Sequence, residues 1–296
     1  MIYLILLYIT MYTDNAFIIV HFGDKKKYLE LEIYLSLMIR RNSTNDIVYF
    51  YSINDTPIAF VNIMKKYCNY TISYDDKNIT YNISKFKSSY LQFNTLRTCN
   101  FLFAYTLTQY KKICLIESDC IILKNIDDIF LLKSPSILLY TDNKNNIITN
   151  NKYVLNHENI LDKCISESKT NGGVMLFKPS LKKYHKAIRK IQYVIDKNCI
   201  FPNETLFLII NKFIYNLPFK YNIKNSAIHK YYKFFNVDHT FISIVHFNSS
   251  QFKYIDLIRN NYMHSIKSEL LSIVLSFKKK YYDKYNKSIS YLLSNL

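Results

Sequence analysis

The sequence predicts an α/β fold, a mainly parallel sheet flanked by helices, because strand and helix patterns alternate along the chain. The runs AFIIV (16–20) and ICLI (113–116) are short, apolar and rich in β-branched residues, which is typical of strands buried on both faces. The composition, with 49% hydrophobic and 21% charged residues, is that of a globular protein. A length of 296 residues suffices for one large core, or for two domains.

The first half of the chain shows this alternation most clearly. The pattern predicts strands at 16–20, 46–52 and 113–116, helices at 28–41, 59–68 and 89–109, and a surface excursion over 69–89. The loop HFGD (21–24) follows the first strand and contains one of only 3 glycines. Glycine is so scarce here that we expect the backbone to need Gly23 where it stands.

The second half is predicted to add further strands and two helices. Strands are expected at 121–125, 136–140, 173–177, 219–223 and 241–247, with one helical turn at 126–130 and a long polar loop over 141–170. Pro179 and Ser180 open a helix that ends near 197, and Pro202 opens another that ends near 213. No internal repeat is visible.

Two acids, Glu117 and Asp119, directly follow the strand 113–116. Ligand crevices of open α/β sheets lie at the carboxyl ends of the strands, and residues i and i+2 of an extended segment face the same way. The pair is therefore placed to bind one cation. A solvated loop with no ligand is the alternative, since such acid triplets are common.

Two further polar features lie at the ends of other predicted strands. Asn171, Gly172 and Gly173 stand at the start of the strand 173–177, and His246 ends an apolar strand. His246 alone could equally be a buried or surface histidine without a ligand. Together, two carboxylates and an imidazole predict a site for Mn²⁺, with Mg²⁺ as the alternative, completed by phosphate oxygens of a nucleotide.

The chain resembles glycosyltransferase family 8, and within it the glycogenin-like branch. The segment LTQYKKICLIESDCIILKNIDDIF (107–130) is similar to the family's segment around its DxD motif. The resemblance continues through NGGVMLFKPS (171–180), LPFKYNI (217–223) and IVHF (244–247), and more loosely through AFIIVHFGD (16–24). It covers about residues 14–257 in order, and such a collinear set is specific although each piece is weak.

This resemblance implies a GT-A fold and retaining transfer of a hexose, UDP-glucose being the favoured donor, with the aid of manganese. By position it implies that Glu117, Asp119 and His246 hold the metal, and that Glu117 and Ser118 contact the donor. Uracil and ribose would lie against Phe22 and Asp24. The sugar pocket would be lined by Asn171 and Gly172, with Gly173 allowing close approach of the backbone.

The chain departs from the family pattern in the acids. Glu117 stands where the family has the first Asp of its motif. The family's Asp-Gln pair, whose Asp handles the acceptor or sugar, is replaced by Asn203 and Glu204. Either Glu204 substitutes for that Asp or the step is impaired.

It also departs in the residues that bind phosphate. The glycine after the family's His-Phe pair is Ser249 here, and the lysine that follows is displaced by one position, to Lys253. Phe101 occupies the place of another family lysine, and Arg97 is the predicted substitute, because a guanidinium binds a diphosphate through two hydrogen bonds. A weak or inactive homologue that binds a nucleotide sugar, or a glycan or protein partner, therefore stays open.

The net charge of +17 also admits a basic protein that binds nucleic acid or a membrane. Against it, the lysines are scattered and no nucleic-acid motif occurs, so we expect neither nucleic acid nor a membrane as partner. The expected partners are a UDP-sugar and an acceptor that is a protein, a glycan or a small polyol, with a homodimer as an open alternative. The 28 tyrosines do not decide whether the chain glycosylates itself.

The chain is expected to divide into an apolar leader or extra strand (1–13), a GT-A domain (14–257) and a helical extension (258–296). The leader lacks a basic start and a cleavage site, so a signal or anchor is the less favoured alternative. The extension is amphipathic with a basic end, which suits packing on the domain, a membrane surface or a partner. The six cysteines form no CxxC pair, which favours a reducing, cytoplasmic compartment.

Overall fold

A central sheet of eight strands organises the part of the chain that the structure describes. A computed structural model describes residues 13–77, 99–139, 152–154, 170–197, 199, 201–224 and 242–247. Six of the sheet's strands run in one direction and the other two run against them. The predicted α/β fold with a mainly parallel sheet is confirmed.

The strands and helices alternate along the chain as far as the strand Lys112–Ile116. The strands are β1 (Asn15–His21), β2 (Asp46–Ser52), β3 (Tyr70–Tyr74), β4 (Lys112–Ile116), β5 (Cys120–Ile122), β6 (Ser136–Leu139), β7 (Lys152–Val154), β8 (Thr170–Phe177), β9 (Phe213–Asn216), β10 (Ile223–Lys224) and β11 (Ile244–His246). The α-helices are α1 (Lys26–Asn42), α2 (Ile58–Met64), α3 (Leu181–Asp196) and α4 (Pro202–Ile210). Three 3₁₀ helices span Cys99–Thr106, Asp127–Leu131 and Phe219–Tyr221. The strand order in the central sheet is β3-β2-β1-β4-β8-β6-β9-β7, and β8 and β7 run against the other six.

The continuous apolar strands arise because both faces of the sheet are covered. In β1, Phe17 and Ile19 belong to one hydrophobic cluster, and Ala16 and Ile18 belong to the other. Strands β4 and β8 divide in the same way. Since side chains alternate along a strand, the central residues of β1 and β4 are buried on both faces of the sheet, which requires a continuous apolar run.

Two local signals set the starts of α3 and α4. The hydroxyl oxygen of Ser180 accepts a hydrogen bond from the Lys183 amide at 3.4 Å and caps α3. Pro202 begins α4, where its missing amide hydrogen costs nothing. All nine residues of α4 are buried, so its first turn lies inside the molecule.

Several predicted boundaries were wrong. The segment 69–89 contains the edge strand β3, and the polar stretch 141–170 contains β7. The helix predicted over 59–68 ends at Met64, and the helix predicted over 202–213 ends at Ile210, after which Phe213 begins β9. The strand predicted over 219–223 is a 3₁₀ turn followed by β10, and the described part of the helix predicted over 89–109 is a 3₁₀ helix that ends at Thr106.

A small second sheet, in the order β10-β11-β5, packs beside the main one. Strand β11 runs parallel to β10 and antiparallel to β5. Because β5 follows β4 after a short turn, this sheet brings the end of β11 to the carboxyl end of β4.

Other predictions fall partly or wholly outside the described residues. These include the leader, of which only Thr13 is described, the whole of the extension 258–296, Arg97 and Lys253. Within the described residues, no helix is long and apolar enough to cross a bilayer. The five described cysteines are buried free thiols.

Candidate functional site

The two predicted acids form the turn between the two sheets. Strand β4 ends at Ile116, and the Glu117 amide donates to the carbonyl of Gly173 at 2.9 Å. The Cys120 amide then donates to the Glu117 carbonyl at 3.0 Å, which closes the turn and begins β5. The Glu117 side chain is 38% exposed, whereas that of Asp119 is 3% exposed. The Glu117 carboxylate can therefore contact a ligand that arrives from solvent, and the Asp119 carboxylate forms the buried floor of the site.

His246 is brought to these acids by the small sheet. It pairs with Cys120 in the β11–β5 ladder, and the Phe247 amide donates to the Asp119 carbonyl at 3.0 Å. Its Nε2 lies 3.3 Å from Glu117 Oε2 and 3.2 Å from Asp119 Oδ1. The three predicted metal ligands thus converge at one point.

The second nitrogen of His246 is held by Asn171. His246 Nδ1 lies 2.8 Å from Asn171 Oδ1, and the Gly173 amide donates to the same oxygen at 3.0 Å. An atom that accepts from an amide N–H is an oxygen, so Nδ1 carries a hydrogen and donates it. Nε2 therefore faces the carboxylates, the orientation that a metal-binding histidine needs.

Gly173 lies directly under the ring of His246. A Cβ atom at this position would lie 2.7 Å from His246 Cγ and nearer still to Nδ1 and Cε1. Since no side chain fits between the β8 backbone and the imidazole, the glycine is required by this contact rather than by an unusual backbone angle.

The charge on His246 comes from a proton that a bound cation could replace. Burial alone would lower the pKa of His246, but hydrogen bonds and charge from Asp119 and Glu117 outweigh it and raise that pKa to about 10. The imidazolium thus neutralises part of the carboxylate charge. Oxygen and nitrogen donors of this kind suit Mn²⁺ and Mg²⁺, so the residues present fit the predicted metal.

Cys120 is also close enough to be considered as a ligand. Ligand atoms of Asp119, Cys120 and His246 all lie within 4.8 Å of one another. However, burial raises the pKa of the Cys120 thiol well above its usual value, and its sulfur donates to the Gly173 carbonyl at 3.5 Å. A neutral thiol is a poor ligand, so Cys120 belongs to the wall of the site.

Glu204 and Asn203 enter the site from the first turn of α4. Glu204 Oε1 accepts a hydrogen bond from the Gly172 amide at 2.8 Å, and Oε2 accepts one from the Thr170 hydroxyl. Burial raises the pKa of Glu204 to about 7, although the bonds from Thr170 and Gly172 oppose this rise. Near neutral pH this carboxyl can therefore hold or release a proton.

The Glu204→Gln variant is expected to gain stability relative to wild type as the pH rises from 5 to 8. The folded state raises the pKa of Glu204 from 4.5 to about 7, so the native protein binds more protons than the unfolded chain between these values, and wild-type stability falls over that window. The amide keeps the bond from Gly172 and does not ionise. Thermal unfolding at several pH values measures this, and a constant difference between the two proteins contradicts it.

The remaining predicted residues either lie in the turns that follow β1 and β4 or fall outside the described residues. Phe22 is half-buried and Asp24 is exposed in the loop after β1, and Ser118 is half-buried between the two acids. Because β1 and β4 are parallel neighbours, this loop lies at the carboxyl ends of the strands, as Glu117 does. Arg97 and Lys253 fall outside the described residues.

Phe101, which stands where the family has a lysine, is a core residue. It is 4% exposed, and its ring lies 6.5 Å from those of Tyr105 and Phe207. The hydrophobic cluster on this face of the sheet therefore takes up the position that the resemblance assigns to a cation.

Sequence reasoning missed two residues that shape the site. Asn222 donates from Nδ2 to the Asn171 carbonyl at 2.9 Å and is fully buried. Thr170, which bonds Glu204, is 3% exposed. An asparagine in the family-like segment LPFKYNI (217–223) was a usable signal for Asn222, but nothing near Thr170 in the sequence identifies it.

Comparisons with known proteins support the fold. No family model matches the chain. An uncharacterized protein of Acanthamoeba polyphaga mimivirus, R707, is 24% identical over 250 residues, which are 80% of this chain and 82% of that protein. This identity is too low to carry a function.

Two solved glycosyltransferases are similar in structure. The bifunctional glycosyltransferase WbbM aligns with a TM-score of 0.53 and 14% identity over 88% of this chain and 52% of WbbM, so this chain spans about half the length of WbbM. LgtC, a galactosyltransferase solved with donor and acceptor sugar analogues, aligns with a TM-score of 0.52 and 9% identity, over 87% of this chain and 99% of LgtC. The chain has the GT-A fold of the glycosyltransferases.

Proposed function

We propose that the chain is a glycosyltransferase of family 8, glycogenin-like, that moves a hexose from a UDP-sugar to a hydroxyl acceptor with retention. UDP-glucose is the favoured donor. The observation that carries the proposal is the convergence of Glu117, Asp119 and His246 at the carboxyl end of β4, in a fold shared with glycosyltransferases.

Glu117, Asp119 and His246 would hold a divalent cation, Mn²⁺ or else Mg²⁺. When bound, the cation offsets the charge that develops on the leaving diphosphate, which is Lewis-acid catalysis. The geometry of His246 favours this role, since Asn171 Oδ1 holds the ring at 2.8 Å with Nε2 facing the acids. An approaching cation would take the place of the proton on Nε2.

The other residues of the site would position the donor. Asn171 and Gly172 would line the sugar pocket, and the partly exposed carboxylate of Glu117 would contact a ribose hydroxyl. Glu204 accepts a hydrogen bond from the Gly172 amide at 2.8 Å, so it would fix the wall of the sugar pocket. Its carboxyl can also exchange a proton near pH 7. A retaining transfer needs little more than this, because positioning and charge stabilisation supply most of the rate.

Two observations favour the weak or inactive homologue instead. The imidazolium of His246 already pairs with both carboxylates, and Asn203 replaces an acid of the family pattern. A site that is satisfied without a metal could bind a nucleotide sugar and not turn it over. The test below separates these two functions.

Release of UDP from a panel of UDP-sugars, with and without Mn²⁺, tests the proposal. We expect one sugar to be turned over, with release dependent on Mn²⁺ and lost in Asp119→Asn. Binding of UDP that depends on Mn²⁺, without turnover of any sugar across a panel of protein, glycan and polyol acceptors, supports the inactive homologue. If UDP does not bind at all, both functions are wrong.

A further inference from the structure

A buried ion pair lies beneath the loop that follows β1. His21, the last residue of β1, is 1% exposed, and Glu32 of α1 is 2% exposed. His21 Nδ1 lies 2.8 Å from both carboxylate oxygens of Glu32. Neither residue takes part in the site described above.

The other nitrogen of His21 holds the loop itself. His21 Nε2 lies 2.9 Å from the carbonyl oxygen of Gly23, and since a carbonyl only accepts, Nε2 carries a hydrogen. Burial alone would lower the pKa of His21, but the charge of Glu32 and its hydrogen bond raise it. The imidazolium therefore connects α1 to the turn after β1.

The turn has a defined shape. Gly23 has a φ of 87°, in the left-handed region that favours glycine. The Tyr74 hydroxyl donates to the His21 carbonyl at 3.0 Å, and the rings of Tyr49 and Phe60 lie 5.5 and 5.8 Å from the His21 ring. His21 is thus held by side chains from four neighbouring elements, α1, β2, α2 and β3, and it holds Gly23 in turn.

Fold stability does not explain why charges are used here. A buried ion pair adds little net stability compared with apolar side chains of similar size, because both groups lose their hydration. The benefit of the ion pair is that it fixes the geometry of the turn. A loop held in the shape of its bound state binds with less loss of conformational entropy.

We propose that His21 and Glu32 are positioning residues that hold the turn at Phe22 to Asp24 in the shape that receives the nucleoside part of a nucleotide donor. This inference rests on the proposed function, in which the chain binds a UDP-sugar. It assigns the pair a role in recognising uridine and none in binding the diphosphate or the metal.

The test compares two probes, UDP and inorganic pyrophosphate, each titrated with Mn²⁺ present. Glu32→Gln keeps the size of the side chain and removes its charge. We expect its affinity for UDP to fall about tenfold, the order of effect seen when a residue that orients a binding group is lost. Its affinity for pyrophosphate should stay at the wild-type value, because pyrophosphate has no nucleoside.

Asp127→Asn is the matched control. Asp127 holds the loop before β2 through Ser43 and Asn45. This loop lies at the amino ends of the parallel strands, whereas the candidate site lies at their carboxyl ends. The variant should therefore bind both probes as wild type does. If Glu32→Gln does not fold, Tyr74→Phe removes the hydroxyl that donates to the His21 carbonyl and that also bonds Asn100, and it should show a smaller loss confined to UDP.

Each outcome bears on a different claim. If wild type binds pyrophosphate and UDP but Glu32→Gln and Tyr74→Phe bind UDP unchanged, the inference is wrong and the proposed function stands. Equal losses for both probes indicate a general structural role and also overturn the inference. If wild type binds neither probe, the proposed function fails, and the inference, which rests on it, is overturned with it.

Discussion

Asp119→Asn is expected to lower Mn²⁺-dependent affinity for UDP by at least about 100-fold, more than the 10 to 100-fold cost of losing an outer partner of a metal ligand. The Asp119 side chain is 3% exposed, and its Oδ1 lies 3.2 Å from His246 Nε2. The amide is isosteric, but it lacks the charge that a divalent cation requires. Turnover of any UDP-sugar should disappear with the binding.

Isothermal titration of UDP with and without Mn²⁺ measures this effect. Asp127→Asn is again the control, because it removes a carboxylate charge far from the candidate site. A loss of affinity in Asp119→Asn alone assigns the metal to this acid. Equal affinity in wild type and Asp119→Asn contradicts the metal site, whatever the enzyme's activity.

Gly173→Ala is expected to abolish Mn²⁺-dependent UDP binding, or to prevent folding. The added Cβ would lie 2.7 Å from His246 Cγ, and the neighbour that must move is a rigid ring held by Asn171 at 2.8 Å. Moving the ring breaks that bond and takes Nε2 away from the acids. Overpacking of this kind costs about 1–3 kcal/mol, occasionally more.

Gly172→Ala is the matched control for this substitution. Its Cβ would lie 3.1 Å from Glu204 Cγ and 3.2 Å from Asn203 Nδ2, so side chains must give way by only a few tenths of an ångström. Thermal unfolding and UDP titration should therefore show a clearly smaller effect for Gly172→Ala. Similar behaviour of the two variants would show that the contact between Gly173 and His246 is not what the site depends on.

Much of the central sheet could be predicted because its strands are unusual in composition. The bounds predicted for β2 agree with those observed, and β1 and β4 differ by one or two residues at their ends. Strands buried on both faces need a continuous apolar run, which is visible in any sequence. Strand β3 was missed because it lies at the edge of the sheet, where half-buried polar residues are tolerated.

The candidate site could be predicted in its residue types but not in its contacts. The positions of Glu117, Asp119 and His246 were predicted from the ends of apolar runs and from resemblance, and they remain proposals as metal ligands. The bonds between His246 and Asn171 and between Gly172 and Glu204 join residues 75 and 32 positions apart. Local patterns carry no information about such distances.

By itself, the sequence determined which segments are strands buried on both faces and which acids follow the central one, because hydrophobic periodicity and charge are local properties. Only the tertiary structure decided that β8 runs against β4, that the small sheet brings His246 to the acids, and that Gly173 must leave room for its ring. The pair of His21 and Glu32 was also invisible in the sequence. These features depend on packing between distant segments, where a few ångströms decide whether two groups bond, clash or share a charge.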